Sequence, residues 1–265
     1  MPSGPSAAPS EVAPAAPDGI LAIDKPAGWT SHDVVAVVRR VAGAGRVGHG
    51  GTLDPLATGL LPVLVGGATR FSDRLHEAPK AYAALVRFGS ETATDDGEGA
   101  VRREAALPQA GAAELDAALH VFRGRIAQEP PAYSALKVSG RRAYALARAG
   151  RPVALATRDV TVHRLDVASW EPPDLRLLVV CGSGTYVRAL ARDIGRALGS
   201  AAYLAALRRL AVGALSVDQA TSPEALRGGG GEALRALLRP ADESLLALGQ
   251  RYLEESAAGL LRGWP

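Results

Sequence analysis

Asp54 is the only carboxylate in the stretch Arg46-Val-Gly-His-Gly-Gly-Thr-Leu-Asp-Pro-Leu-Ala-Thr-Gly59. Four glycines and a proline surround it there, so neither a regular helix nor a regular strand runs through. The backbone must turn tightly and hold Asp54 at a fixed point, flanked by His49 and Thr52. The apolar run Leu60-Leu-Pro-Val-Leu-Val65 then pins the far end of the loop to a core. A rigid loop that presents one acid among small residues suits the close approach of a ligand. Asp and Gly are also ordinary turn residues, so the loop alone leaves a second reading open, in which Asp54 caps the backbone.

Other chemistries are easier to dismiss. Gly43-Ala-Gly-Arg-Val-Gly48 fits the dinucleotide pattern G-x-G-x-x-G, but it follows a helical segment and runs into Asp54-Pro55, so the helix the pattern must open is missing. No phosphate-binding G-x-x-x-x-G-K-[ST] occurs. A phosphate-accepting aspartate of the haloacid-dehalogenase kind needs a second acid two residues on, where this chain has Leu56. The five histidines, His32, His49, His76, His120 and His163, form no i, i+4 pair, and no metal site is expected. The single Cys181 excludes an internal disulfide and a cysteine-built zinc site, and fits a reducing, cytoplasmic setting.

The chain is 265 residues long and 48% hydrophobic, enough for one large domain with a small appendage. A formal net charge of +3 permits a polyanionic partner without requiring one. Arginine supplies nearly all the positive charge, and lysine stands only at Lys25, Lys80 and Lys137. The two cations are not interchangeable at close quarters, so these positions merit notice. No apolar run is long enough to cross a bilayer. Residues 1–18 read as a disordered tail rich in Pro, Ala and Ser, without the basic start and apolar middle of a signal peptide.

The elements that must position Asp54 follow from periodicity. Ile20–Ile23 reads as a strand, and Thr30 or Ser31 caps a helix carrying Val34, Val35, Val37, Val38 and Val41. A short helix is expected over Ala68–Glu77, a strand over Lys80–Phe88, and an acidic, glycine-broken surface loop over Glu91–Gly99. Ala113–Phe122 is amphipathic, Pro130-Pro131 enforces an extended course, and Arg141–Arg148 reads as a helix closed by Gly150. Strands are expected at Val160–Ser169, Leu175–Cys181 and Gly213–Asp218, with a helix from Gly182–Arg188 to about Leu198. A helix after Ser222 should stop at the run Gly228–Gly231, and Ala233–Leu238 and Ser244–Leu248 look helical. Strands and helices mix without regular alternation, which argues an α+β fold.

Six stretches carry a resemblance in order: Ile23-Asp-Lys-Pro-Ala-Gly28, Gly48-His-Gly-Gly-Thr-Leu-Asp-Pro-Leu-Ala-Thr-Gly59, Lys80-Ala-Tyr82, Gln128-Glu-Pro-Pro-Ala-Tyr-Ser-Ala-Leu-Lys137, Gly184-Thr-Tyr-Val-Arg188 and Leu207-Arg-Arg-Leu210. Together they closely resemble the TruB family of bacterial tRNA pseudouridine-55 synthases, from about Gly19 to Ala220. The three lysines fall inside three of these motifs. The resemblance implies a pseudouridine-synthase fold, with a central mixed, largely antiparallel sheet flanked by helices. It divides the chain into the tail, a catalytic domain over 19–222, and a linker with a helical remnant over 223–265. The C-terminal domain is apparently truncated, since Pro265 comes too soon to complete a PUA-like barrel. A weaker grip on the acceptor stem is then expected.

By that resemblance the reaction is isomerisation of uridine to pseudouridine in the T-loop of tRNA, without cofactor or metal, by a monomer. Asp54 matches the family's catalytic aspartate and Arg188 the arginine paired with it, a guanidinium that favours the ionised acid. A plain surface role for Arg188 is disfavoured, because a helix start repels positive charge. Tyr82 matches an active-site tyrosine lying against the base, Tyr186 an orienting tyrosine, and Leu207 an apolar residue closing over the uracil. His49 matches the residue that fills the space left by the flipped nucleotide, and Asp96 a loop acid contacting it. The family's further acid three residues before Asp96 is here Ala93. Lys25, Lys137, Arg141, Arg142, Arg208 and Arg209 are candidate phosphate contacts. Two rivals share the scaffold: an isomerase with another RNA target, and a tRNA-binding or folding factor without chemistry.

Overall fold

The computed structural model describes residues 16–43, 45–134, 137–138, 141–143 and 155–264. The chain opens with β1 (Gly19–Lys25), α1 (Ser31–Ala42), β2 (Val47–His49) and β3 (Thr58–Val65). A 3-10 turn at Gly66–Phe71 leads into α2 (Ser72–Glu77), then β4 (Lys80–Phe88), β5 (Ser90–Thr92) and β6 (Val101–Glu104). Next come α3 (Ala112–His120), β7 (Gly124–Gln128) and the short pair β8 (Lys137–Val138) and β9 (Arg141–Arg142). The long hairpin β10 (Arg158–Glu171) and β11 (Asp174–Cys181) is followed by α4 (Val187–Ala197), β12 (Ala202–Val212) and β13 (Leu215–Ser216). The chain continues through α5 (Pro223–Leu237), α6 (Arg251–Glu254) and α7 (Ala257–Leu260).

One sheet organises these elements in the order β1-β3-β12-β4-β11-β10-β7. All its pairings are antiparallel except β12 with β3, where Arg208 lies opposite Thr58 and Arg209 opposite Gly59. The expected mixed, largely antiparallel α+β sheet is therefore what the chain builds. Alternation along β4 explains how both faces are covered. Tyr82, Ala84 and Val86 face the core formed with Val187, Leu190 and Ile194 of α4. Ala81 and Ala83 face Tyr252, Ala257 and Leu261 from the C-terminal segment. Gly195 lets α4 lie on the start of β12, since a Cβ there would meet the Ala202 Cβ at 2.6 Å.

α1 forms as its sequence dictates. Thr30 accepts from Asp33 N–H while the Asp33 carboxylate accepts from Thr30 N–H, and Gly43 closes the helix in the left-handed region. Its valines have modest helix propensity, but Val34, Val35 and Val38 are buried against β1, β3 and α5, and that packing decides.

Several expectations need correction. Glu91–Gly99 is no surface loop: Glu91, Thr92, Asp95 and Asp96 are buried, because arginines of α4 accept their charge. Gly213–Asp218 forms only the two-residue β13 and then a 3-10 turn, Val217–Gln219. The glycine run, by contrast, does end its helix as expected: α5 is two helical segments that meet at Gly230, whose backbone (φ 63°, ψ −158°) is not helical, and the second segment runs to Leu237. Arg141–Arg142 is a strand paired with Lys137–Val138, and residues 144–150 of the expected helix lie outside the described residues. Residues 1–15 of the expected tail also lie outside, whereas the Asp18 carboxylate is fixed by Gly67 and Ala68 N–H. Among the described residues no helix is long and apolar enough to cross a membrane.

Two glycines flanking the Asp54 loop should respond differently to substitution. A Cβ at Gly59 (φ 99°) would sit 2.3 Å from the Arg209 carbonyl oxygen, where two strand backbones meet. Gly59→Ala is expected to cost about 3 kcal/mol or more, the scale of a backbone clash in a core. Gly28 (φ 79°) has open space around it, so Gly28→Ala should cost only ~1 kcal/mol, the left-handed penalty alone. Urea denaturation of both variants checks the order; equal losses would refute it.

Candidate active site

Three buried cations lie around the loop that carries Asp54, and two of them, Lys25 and Arg209, bind its backbone. Lys25 Nζ donates to the carbonyls of Pro26 (2.9 Å), Trp29 (2.7 Å) and Pro55 (3.3 Å). Arg209 donates from Nε to Leu60 O (2.7 Å), from Nη1 to Thr52 O (3.3 Å) and from Nη2 to Gly51 O (3.0 Å). Lys80 Nζ donates to His76 O and Ala78 O. Ser31 closes the loop from α1, its hydroxyl accepting from Leu53 N–H and donating to Leu53 O. The backbone on both sides of Asp54 is thus tied down by donors from β1, α1 and β12.

Against that fixed loop stands Arg188, in the first turn of α4. Its Nε lies 2.9 Å from Asp54 Oδ2, and its Nη1 lies 3.5 Å from Asp96 Oδ2. Nη1 and Nη2 donate to Thr94 O (2.9 Å) and Tyr133 O (3.1 Å). The Nε–H is not aligned on Asp54 as a hydrogen bond, so this contact is one of charge. The Arg188 side chain is 7% exposed and that of Asp54 41%, which leaves the carboxylate open to solvent while its partner is walled in. Acids clustered at the start of α4 offset the unfavourable placing of a cation there.

Asp54 and Arg188 line a cleft of about 620 Å³ together with Tyr82, Asp96, Tyr133, Tyr186 and Leu207. Burial pushes the Tyr82 phenol up to about 12, against the opposing charge of Arg209, so it holds its proton at neutral pH. Burial also raises Tyr186. Gln128 fixes Tyr186 from both sides, its amide accepting from Tyr186 N–H (2.8 Å) and donating to Tyr186 O (3.2 Å). Asp96 is buried and accepts from Thr94 Oγ1 and Glu98 N–H. Such a constellation sets the solvent-reachable Asp54 carboxylate beside room for a planar, partly apolar guest.

Not every expected residue reaches the cleft. Lys25 is fully buried with its ammonium spent on carbonyls, so it cannot meet a phosphate. Arg209 is buried likewise beneath the loop. Arg208 is committed to Asp24 through two contacts, at 2.7 and 3.0 Å. His49 is half-buried, stacked on His76 and edge-on to His32; of the three, His76 is the one in the cleft wall. Burial, with the two neighbouring rings, pulls His49 down to about 4, which keeps it neutral. The side chains of Lys137, Arg141 and Arg142 lie outside the described residues. Sequence reasoning missed Gln128, Lys80 and Arg209 as the residues that build the site. For the last two, the signal was a cation embedded in an apolar strand.

Comparison with known proteins agrees with this geometry. Residues 39–187 match the TruB family pseudouridylate synthase N-terminal domain, and residues 188–246 the tRNA pseudouridylate synthase B C-terminal domain. The chain belongs to the TruB family. It is 44% identical over 246 residues to a tRNA pseudouridine synthase B of Xanthomonas euvesicatoria pv. vesicatoria (strain 85-10), covering 92% of this chain and 80% of that one. It is 48% identical over 217 residues to a tRNA pseudouridine synthase B of Thermobifida fusca (strain YX), covering 79% and 74%. Among solved structures, a chain in a Cbf5-Nop10-Gar1 complex superposes with a TM-score of 0.65 at 29% identity. That match covers 84% of this TruB family member and 60% of the solved chain, so the chain spans about three fifths of that relative's length.

The buried lysines have a consequence for stability. Burial pulls Lys25 and Lys80 from 10.5 to about 8, while the unfolded chain keeps those protons to near 10.5. Between these values the unfolded state binds more protons, so stability rises with pH. Cys181 and Tyr82, pushed by burial from 9.0 to about 11 and from 10.0 to about 12, act the opposite way above pH 9. The melting temperature should therefore climb between pH 8 and pH 9, and Lys80→Met should flatten that climb. Calorimetry across this window checks it, and a wild-type melting temperature that falls there would refute it.

Proposed function

We propose that this chain converts uridine at position 55 in the T-loop of tRNA to pseudouridine, with Asp54 as the residue that attacks or deprotonates the nucleotide. The observation that carries the reading is the open Asp54 carboxylate 2.9 Å from a buried Arg188, in a cleft walled by Tyr82, Tyr186 and Leu207. Relatives that are 44–48% identical bear the name tRNA pseudouridine synthase B, which supports tRNA as the substrate. A solved relative at 27% identity is described as an H/ACA RNP bound to a substrate RNA containing 2'-deoxyuridine, which supports uridine-bearing RNA as the guest of this fold.

The reaction conserves every atom. The C1'–N1 bond breaks, a C1'–C5 bond forms, C5 loses a proton and N1 gains one, so no oxidant or reductant enters. Asp54 acts as a carboxylate, with the Arg188 guanidinium 2.9 Å away to hold its position. Pulling a uridine out of a folded loop costs a few kcal/mol, which contacts in the cleft must offset. Tyr82, protonated and buried, packs against the extruded base, and Leu207 closes over it. Asp96 touches the same nucleotide, and His49, through its stack on His76, supports the space the base vacates. Recognition rests on the shape of the T-arm more than on base-edge reading. The enzyme acts as a monomer in the cytoplasm.

Asp54→Asn separates chemistry from binding. It keeps the size of the side chain and removes its charge. Pseudouridine formation on T-arm RNA should fall by more than about 10³-fold, as for loss of a nucleophile or base. Affinity for the RNA should stay within about threefold, since backbone contacts carry binding. Tritium release from [5-³H]uridine RNA measures the first and filter binding the second. Undiminished turnover in the variant would remove Asp54 from the mechanism. Binding without product by the wild-type protein would instead favour a tRNA-folding factor.

A further inference from the structure

Arg188, Arg192 and Arg196 stand four residues apart on α4, so they stack along one face of the helix. Each meets an acid from outside the helix. Arg188 meets Asp54 and Asp96, Arg192 Nη1 meets Asp95 Oδ2 at 2.8 Å, and Arg196 Nη2 meets Glu91 Oε2 at 2.8 Å. Glu91 in β5, and Asp95 and Asp96 in the loop between β5 and β6, are laid along the helix like the second rail of a ladder.

The middle rung shares the burial of the Arg188–Asp96 rung and differs from the outer one. Asp95 and Arg192 are both buried, 8% and 6% exposed, whereas the Arg196 side chain is about half exposed. Asp95 is also the one non-glycine residue with left-handed backbone among the described residues, at φ 59°. That twist sends two consecutive acids to two different arginines, Asp95 to Arg192 and Asp96 toward Arg188. Asp95 O also accepts from Leu204 N–H at 3.0 Å, tying the twist to β12 three residues before Leu207.

Arg192 and Arg188 hold the same two walls. Arg188 donates to Thr94 O and Tyr133 O; Arg192 binds Asp95 and donates to Glu129 O at 2.9 Å. Arg192 has a second acid in its neighbour Asp193 (Nε–Oδ1 2.8 Å), but among the described residues Asp95 is ion-paired with Arg192 alone. This buried acid is therefore held where that guanidinium stands, because its charge alone would be costly. Shifting the middle rung therefore shifts the carbonyls that aim Arg188, and Arg188 aims Asp54.

We propose that Asp95, through its buried pair with Arg192, is a positioning residue for the Arg188–Asp54 centre and for Asp96. This rests on the reading of the cleft as a uridine isomerisation site. The residue does not touch the nucleotide; it sets the angle at which Arg188 meets the acid that does. A displacement of a fraction of an ångström there lowers the rate of the chemical step while leaving RNA binding alone.

The test uses Asp95→Gly, which keeps the left-handed backbone and removes the carboxylate, and Asp95→Asn, which tolerates that backbone and keeps an acceptor for Arg192. The rate at saturating T-arm RNA should fall about tenfold in Asp95→Gly and less in Asp95→Asn, as expected for loss of alignment. The KM should stay within about twofold in both, the mark of an effect confined to the transition state. The Arg188 Nε–H resonance, assigned with Arg188→Lys, should move in Asp95→Gly and return toward its wild-type place in Asp95→Asn. A lowered melting temperature with kcat and KM unchanged would make the pair a plain structural brace and overturn the proposal. So would a rise in KM alone. An unmoved Arg188 resonance overturns it even if the wild-type protein makes no pseudouridine, whereas that last result with a moved resonance counts against the reaction and not the positioning.

Discussion

A buried positive charge without a carboxylate beside it is tolerable only when oxygen dipoles surround it. That constraint governs the loop at the heart of this protein. Lys25 and Arg209 are both fully buried, and each spends three donors on backbone carbonyls. Four of those carbonyls, on Gly51, Thr52, Pro55 and Leu60, belong to the segment that carries Asp54. The arrangement works in both directions. The carbonyls make the cations bearable, and the cations hold the carbonyls where no helix or strand ladder could hold them.

The sheet makes this possible by its one parallel pairing. β12 runs antiparallel to β4 on one side and parallel to β3 on the other, so it stands between the strand that carries Tyr82 and the strand into which the Asp54 loop runs. Arg209 lies across from Tyr82 on β4 and from Gly59 on β3. Two positions earlier, Leu207 faces the side on which α4 packs. A single strand thus supplies the cation under the loop and the apolar residue at the cleft, and α4 docks on the same strand to bring Arg188 over the acid. Chain segments more than a hundred residues apart converge because β12 is the shared wall.

Charge is distributed unevenly around the cleft, with a physical logic. Buried cations lie under and behind Asp54, and acids line the first turn of α4. Asp54 itself remains part-exposed between them. The guanidinium of Arg188 is held by two carbonyls and approaches Asp54 by charge alone. A carboxylate gripped by a bidentate fork would have both oxygens committed. One steadied by a nearby charge keeps an oxygen for a guest.

How much of this was legible beforehand depended on the range of the interaction. The short-range rules served well. Alternation marked β4, the Pro172-Pro173 turn set off β11, the Thr30 cap and valine spacing marked α1, and the run of motifs identified the family with Asp54 at its centre. Where the sequence misled, a distant partner had changed the meaning of a residue. Glu91–Gly99 is acidic and glycine-broken, the usual marks of a surface loop, yet arginines about a hundred residues away neutralise its acids and bury them. Lys25, Arg208 and Arg209 are cations in RNA-enzyme motifs, the usual marks of phosphate contacts, yet β1 and β12 turn them toward carbonyls and Asp24. By itself the chain's order of residues determined which groups could do chemistry and which elements would carry them. The tertiary structure alone decided which charges face the guest and which are consumed inside, because burial and pairing are properties of neighbours that the linear order does not contain.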